Sequence, residues 1–280
     1  MLLNSLLFFI LDTDIILMKK RKANMKILTL NINSIRAHIE SFIDILRGGE
    51  YDTIMVQELK VETTNFPHML FDEFGYNVKV FGQKSWNGVA IFSKHSIEDT
   101  TLGMPNYADP NARFLECVVD GRVRLINTYM PNGDTVDSPK FPYKLEWMRA
   151  FTDYISQYLD SPEPVIIGGD FNVAIEDRDI WKPKNYEGIA ISAPAARAIM
   201  NDWLNAGWVD AWRTLHPDEI DYTWYGYRGR DTVGNKQGLR LDYFLCNKTA
   251  AKMIKNCEID IEPRLHSKPT DHCGLMLELK

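Results

Sequence analysis

With 280 residues, 45% of them hydrophobic, the chain can bury one large core, and no Pro/Gly/Ser-rich linker divides it. A net charge of -6 excludes a uniformly basic nucleic-acid binder, so any polyanion has to be met by a local basic patch whose grip weakens as salt rises. Cys117, Cys246, Cys257 and Cys273 form no C-x-x-C pair, which argues against a zinc ribbon, a redox motif or a disulfide framework and reads as an intracellular chain.

Residues 1–24 differ in composition from the rest of the chain. Met1 to Met18 is almost wholly apolar but carries Asp12 and Asp14, and Lys19-Lys20-Arg21-Lys22 comes next. A spanning helix needs about 20 apolar residues, and each central aspartate costs about 2.5–3.5 kcal/mol on insertion scales, so no membrane anchor is expected. No basic region precedes the apolar run and no small-residue cleavage site comes after it, which also disfavours a signal peptide. Residues 1–24 are therefore expected to be an extension outside the fold, with an amphipathic surface segment as the functional alternative, and residues 25–280 to form the domain.

Residues 26–31 alternate as a strand and end in Asn31-Ile32-Asn33-Ser34. Ile39, Phe42, Ile43 and Leu46 at i, i+3, i+4 and i+7 predict a helix closed by Gly48-Gly49. Residues 52–57 form the next strand and deliver Glu58 at its end. Strands are expected over 88–93, 114–119 and 122–129, the last two joined by a tight Asp120-Gly121 turn, with Met130-Pro131-Asn132-Gly133 as a loop. A helix over 142–159 has Leu145, Met148, Phe151 and Ile155 as its buried stripe.

The run Pro164-Val-Ile-Ile-Gly-Gly-Asp-Phe-Asn172 reads as a buried strand in which Gly168 and Gly169 turn the backbone sharply. Asp170 and Asn172, at i and i+2, face one side if the extended backbone continues; the plainer use is an Asx turn. Residues 173–191 are irregular and hold Arg178, Trp181, Lys182 and Lys184. A helix comes next over 195–206, with Ile199 and Trp203 inward and Gly207 as its stop. Residues 221–240 are dense in aromatic and basic side chains, strand 241–246 carries Asp242, and Pro269-Thr270-Asp271-His272 turns into a last strand over 275–279. Several strand ends thus deliver polar groups. Each has a plain use alone, such as Glu58 as a solvated terminus or His272 as a surface histidine, but an α/β sandwich gathers neighbouring strand ends at one edge.

Leu30-Asn31-Ile32-Asn33, Val56-Gln57-Glu58, Gly168-Gly169-Asp170-Phe171-Asn172, Gly238-Leu239-Arg240-Leu241-Asp242-Tyr243 and Thr270-Asp271-His272 resemble, in order, the signatures of the exonuclease III family of DNA-repair nucleases, within the wider endonuclease/exonuclease/phosphatase superfamily. The resemblance spans roughly residues 25–280 and implies a four-layered α/β sandwich of two mostly antiparallel sheets. It also implies one Mg²⁺, with Mn²⁺ able to substitute, on Glu58 beside Asn31, with Asp271 as a further ligand or a support. Asp170 is then the group that orients and deprotonates the attacking water, and Asn172 holds the phosphate or the nucleophile. His272, oriented by Asp242, donates to a phosphate oxygen, and Tyr129 serves the phosphate or the leaving oxygen. Asn132, Trp224, Arg228, Arg230, Lys236 and Leu241 are the expected DNA-binding residues, with Trp224 and Leu241 as sugar-pocket walls or, alternatively, ordinary core.

Asn33 stands where some relatives carry Asp, Ser34 replaces a frequent Gly, Leu59 a usual Thr, and Cys273-Gly274 a common Ala-Pro. None removes a proposed catalytic group, and Asn33 favours a single ion. The implied activity is incision 5′ to abasic sites and removal of 3′ blocking groups in double-stranded DNA, abasic or nicked, with 3′ to 5′ exonuclease activity left open. The protein is expected to be a monomer in the cytoplasm, associated with the nucleoid and not with membrane. The alternatives are a superfamily phosphatase or phospholipase acting on a lipid or inositol headgroup, and an inactive nucleic-acid-binding regulator.

Overall fold

Strands that are apolar on both faces need cover on both faces, and the fold supplies it in four layers. The computed structural model describes residues 24–227 and 232–280, so the expectations for residues 1–23 and for Arg228 and Arg230 lie outside the described residues. One sheet holds β1 (Met25–Asn31), β2 (Thr53–Gln57), β3 (Asn77–Phe81), β4 (Val89–Ser93), β11 (Ile254–Asp260) and β12 (Gly274–Leu279), in the order β11-β12-β1-β2-β4-β3. The other holds β5 (Ile97–Leu102), β6 (Phe114–Val119), β7 (Val123–Tyr129), β8 (Val165–Asp170), β9 (Val209–Asp210) and β10 (Asp242–Cys246), in the order β5-β6-β7-β8-β10-β9. Only β1 with β2 and β7 with β8 run parallel.

Alternate side chains of one strand serve different layers. Ile27, Met55, Leu125 and Phe244 pack between the sheets, whereas Leu28, Leu30 and Val56 face Phe42 and Leu46 of α1 (Ile39–Gly48). On the far side, Ile126, Ile167 and Leu245 meet Trp147 and Phe151 of α2 (Lys140–Ile155) and Trp203 of α3 (Pro194–Ala206). With both faces apolar, alternation alone pins register weakly. Buried polar groups add the constraint, because an unpaired one costs about 1–3 kcal/mol. Gln57 Nε2 donates to Asn127 Oδ1 (2.7 Å) and Thr29 Oγ1 (2.9 Å), while Asn127 Nδ2 donates to the carbonyls of Val56 (3.1 Å) and Ala90 (2.8 Å). This bolt ties the two sheets together one residue from Glu58 and two from Tyr129.

Strand direction then explains the clustering of polar strand ends. The parallel pairs β1/β2 and β7/β8 bring Asn31, Glu58, Tyr129 and Asp170 to their C-terminal ends. β10 runs antiparallel to β8 and begins there, with Asp242 opposite Asp170, and β12 runs antiparallel to β1 and comes directly after Asp271-His272.

Three expectations change. Gly168 and Gly169 make no turn but lie inside β8. A Cβ on Gly168 would meet the Phe244 ring at 2.7 Å and Met55 Sδ at 3.0 Å, and one on Gly169, at φ 145°, would meet the Thr128 carbonyl oxygen at 1.9 Å. The helix predicted over 142–159 is α2 followed by a 3-10 turn at Ser156–Tyr158, and its buried stripe takes Lys144 and Trp147 while Leu145 is half-buried. The strands without a sequence signal, β3, β5, β9 and β11, are the four sheet edges, and the three longer ones carry mostly half-buried or exposed side chains that blunt the apolar pattern.

Candidate active site

Asn31 ends β1 with no exposure, and its side chain joins the two sheets. Its Nδ2 donates to Glu58 Oε1 and to Asp170 Oδ2, both at 2.9 Å, while its Oδ1 accepts from the Asn33 amide at 3.0 Å. Glu58 sits one residue past β2 at φ 54°, where the chain leaves the sheet. Its Oε2 pairs with Lys60 Nζ at 2.8 Å. Burial works to raise the Glu58 carboxyl, but Lys60 and the donors of Asn31, Lys60 and Tyr129 outweigh it and hold the group below the usual glutamate range.

Tyr129 ends β7 under the guanidinium of Arg113, 4.9 Å from its ring centroid. Burial, with Glu58 and Asp170 nearby, pushes its phenol well above the ordinary value, so it remains a proton donor. Asp170, at the end of β8, accepts from Asn31, from Asn172 Nδ2 (3.2 Å) and from the Asn172 amide (2.9 Å). The backbone does not stay extended, since Asn172 is at φ 50° and its amide closes an Asx turn onto Asp170. Both readings of that dipeptide therefore hold, because the turn itself sets the amide beside the carboxylate. Asn172 Oδ1 in turn accepts from Asn132 Nδ2 at 2.9 Å.

His272 Nδ1 lies 2.8 Å from Asp242 Oδ2, whereas Nε2 stands 3.8 Å from Asp170 Oδ2, too far for a hydrogen bond. Burial alone would lower the His272 pKa, but Asp242 and then Asp170 push it up to about 10. Nδ1 is then a donor and the ring is an imidazolium. Burial holds the Asp170 carboxyl well above the usual carboxylate range, against the opposing effect of His272. Asp271 points elsewhere. Its Oδ1 accepts from Asn33 Nδ2 (2.9 Å) and its Oδ2 from Trp224 Nε1 (3.0 Å).

One cleft, of about 350 Å³, has Trp181, Trp224, Tyr227 and Asp271 in its wall. A second, of about 660 Å³, has Tyr129, Asn132, Arg113 and the exposed Trp86. Leu241 is 3% exposed and packs with Ala174, Ile180 and Leu239, so it backs the Trp224 wall and does not line the cleft. Lys236 lies apart on the surface, paired with Asp221 at 3.4 Å.

Sequence reasoning missed Lys60, Arg113 and Thr223. Lys60 had a signal, being two residues from Glu58, and it also donates to Asn33 Oδ1. Arg113 had none, because strand pairing brings it to Tyr129. Thr223 Oγ1 accepts the amides of Leu241 and Asp242, both at 3.0 Å.

Among the described residues no three His, Cys, Asp or Glu side chains converge as a metal cage. An ionised Glu58 beside the Asn31 amide oxygen is a sparse, hard-oxygen donor set, and it fits a small divalent ion that keeps most of its waters.

Residues 28–272 match the model of the Endonuclease/Exonuclease/phosphatase family. Exodeoxyribonuclease III of Haemophilus influenzae is 30% identical, covering 91% of this chain and all of that protein. An AP endonuclease from Archaeoglobus fulgidus superposes with a TM-score of 0.87 at 35% identity, covering 91% of this chain and 99% of that one. The 3′ phosphatase NExo from Neisseria, bound to a product DNA hairpin, superposes with a TM-score of 0.86 at 34% identity over the same shares.

Proposed function

The chain belongs to the endonuclease/exonuclease/phosphatase family, and from that premise we propose that it is a divalent-metal-dependent DNA-repair phosphodiesterase that incises 5′ to abasic sites and clears blocked 3′ ends. The observation that carries this reading is the pair formed by Asp170 and His272. Their 3.8 Å separation leaves Nε2 of a cationic imidazole and a buried carboxylate facing each other unbonded, with room for a phosphate oxygen and a water.

Asp170, held by Asn31 and Asn172, orients the attacking water and takes its proton. His272, fixed by Asp242, donates to a non-bridging oxygen as charge grows there. Tyr129, kept protonated, donates toward the phosphate or the leaving sugar oxygen, and Asn132 with Asn172 holds the phosphate in line. A divalent ion on Glu58 and Asn31, Mg²⁺ by ligand chemistry with Mn²⁺ able to substitute, supplies Lewis-acid stabilisation when bound. Both oxygens of Asp271 are engaged by Asn33 and Trp224, which favours a supporting role over ligation.

The Trp181 and Trp224 walls suit a sugar without a base, and Lys236 on the same loop would meet phosphates of a duplex despite the net charge. No helix among the described residues is long and apolar enough to cross a membrane, which accords with a nucleoid-associated monomer in the cytoplasm.

The test is a side-by-side assay on abasic duplex, intact duplex, nicked duplex, RNA and a phosphoinositide. Preference for the abasic duplex supports the reading, and turnover of the phosphoinositide alone replaces it with a headgroup phosphatase. Three further outcomes are expected. Glu58→Gln should lower activity about 100-fold and raise the metal concentration needed for half-maximal rate, with EDTA silencing the wild type; full turnover in EDTA removes the metal role. Trp224→Ala should cut abasic incision about tenfold, beyond its effect on thermal stability, since stacking of this kind is worth about 1–3 kcal/mol; equal wild-type rates on abasic and intact duplex would remove abasic recognition. A version beginning at Met25, the first residue of β1, should keep its Tm and activity; a drop of several degrees in Tm means that residues 1–24 pack on the domain.

A further inference from the structure

A lysine with no exposed surface is costly, because an ammonium taken out of water must recover several kcal/mol from its partners. Lys144 of α2 is such a residue. Its Nζ donates to the carbonyl oxygens of Pro131 and Asn172, each at 2.8 Å. Those carbonyls belong to two different loops. Pro131 lies in the loop after β7 that carries Asn132, and Asn172 lies in the loop after β8 that holds Asp170. Burial pulls the Lys144 ammonium down to about 7, with Asp170 working in the opposite direction. If α2 needed only packing here, a methionine would fill the space without that cost.

Both loops are shaped around this side chain. Gly133 sits at φ 85°, and a Cβ there would meet Lys144 Cδ at 2.7 Å and Ala190 Cβ at 2.9 Å. Asn172 is at φ 50°, a conformation that turns its carbonyl toward the lysine while its side chain bonds Asp170 and receives Asn132. The Asn132–Asn172 contact at 2.9 Å is the direct side-chain link between the loops, and two backbone bonds from one ammonium lie beneath it.

We propose that Lys144 is a positioning residue: from beneath the site it clamps the β7 and β8 loops together and fixes Asn132 and Asn172 against the reacting phosphate. This rests on the phosphodiesterase reading for its kinetic consequence but not for its structural one. It predicts that loss of the ammonium costs turnover more than binding, since misplacement by about 1 Å can cost about 100-fold in rate.

The experiment compares Lys144→Met, Gly133→Ala and Met148→Ala with the wild type. Met148 lies fully buried on the same helix, in the core under the second sheet, and has no part in the site. Steady-state kinetics on abasic duplex, well below each Tm, are measured together with amide hydrogen exchange. Lys144→Met should lower kcat by about 30-fold or more, with KM within about threefold of wild type, and should speed exchange over 131–134 and 171–174. Gly133→Ala keeps the ammonium but displaces its stem, so it should reproduce both effects in weaker form and decides the matter if Lys144→Met does not fold. Met148→Ala should lose Tm but keep kcat and the exchange of both segments. A Lys144→Met protein with wild-type kcat and exchange, or a Met148→Ala protein showing the same pair of changes, overturns the proposal. A wild type that leaves every DNA uncut would refute the phosphodiesterase reading, and the exchange comparison would then decide on Lys144 by itself.

Discussion

Asp170→Asn should lower kcat on an abasic duplex by about 1,000-fold while leaving DNA affinity within a few-fold of wild type, because general-base removal typically costs 10²–10⁴ and the duplex is gripped elsewhere. Asparagine preserves the shape and can still meet Asn172, so the loss would report on the proton and the charge. The same substitution should raise thermal stability. Burial holds the folded carboxyl above its unfolded value of 3.8, so the native state binds a proton more tightly than the unfolded chain does. Stability from this group is therefore present at low pH and is lost as pH rises above that unfolded value. A neutral asparagine removes this penalty, so near neutral pH the variant should melt higher and its Tm should fall less between pH 5 and pH 8. A wild-type rate, or an unchanged rate with a lowered Tm, would refute the base assignment.

His272→Ala should cost about 100-fold to 1,000-fold in turnover and, unlike Asp170→Asn, should also destabilise the fold. Asp242 is buried, its Oδ2 bonds His272 at 2.8 Å, and its Oδ1 has no hydrogen-bond partner among the described residues. Removing the imidazolium leaves that carboxylate unpaired, and breaking a buried pair in this way costs about 3–5 kcal/mol. The pH dependence separates the two roles. The folded pKa is raised from 6.5 to about 10, so the stability contributed by His272 is fully present below 6.5 and is lost as pH rises toward 10. If the imidazolium form is the active donor, the wild-type rate should show no decline near pH 6.5 and should fall only as pH approaches 10. A falling limb centred near 6.5 in kcat/KM would mean that the ring acts in an ordinary environment and that Asp242 does not charge it.

The two substitutions should couple. Asp170 and His272 face each other across the same gap, and groups that act as a unit are far from additive. The double variant should therefore lose little more turnover than the worse single variant.

The chemistry-bearing residues and their order along the chain were legible without a fold, because Asn31, Glu58, Tyr129, Asp170, Asp242 and His272 each end or open an apolar run whose length marks a buried strand. Periodicity likewise placed α1, α2 and α3 to within a few residues. Edge strands were hidden for the opposite reason: β3, β5 and β11 leave side chains in water, so nothing forces their composition to alternate cleanly. Glycines misled, since Gly168 and Gly169 answer to Phe244, Met55 and Thr128, residues 41 to 113 positions away. What only the tertiary structure decided is which groups touch. Asn31 reaches Glu58 and Asp170 across two sheets, Asp271 turns from Glu58 to Trp224 and Asn33, and Lys144, which composition assigns to solvent, lies beneath the catalytic loops. Local sequence determines what a strand end can do. Strand direction, the polar bolt of Gln57 and Asn127, and the need to pair every buried donor determine with whom it does it.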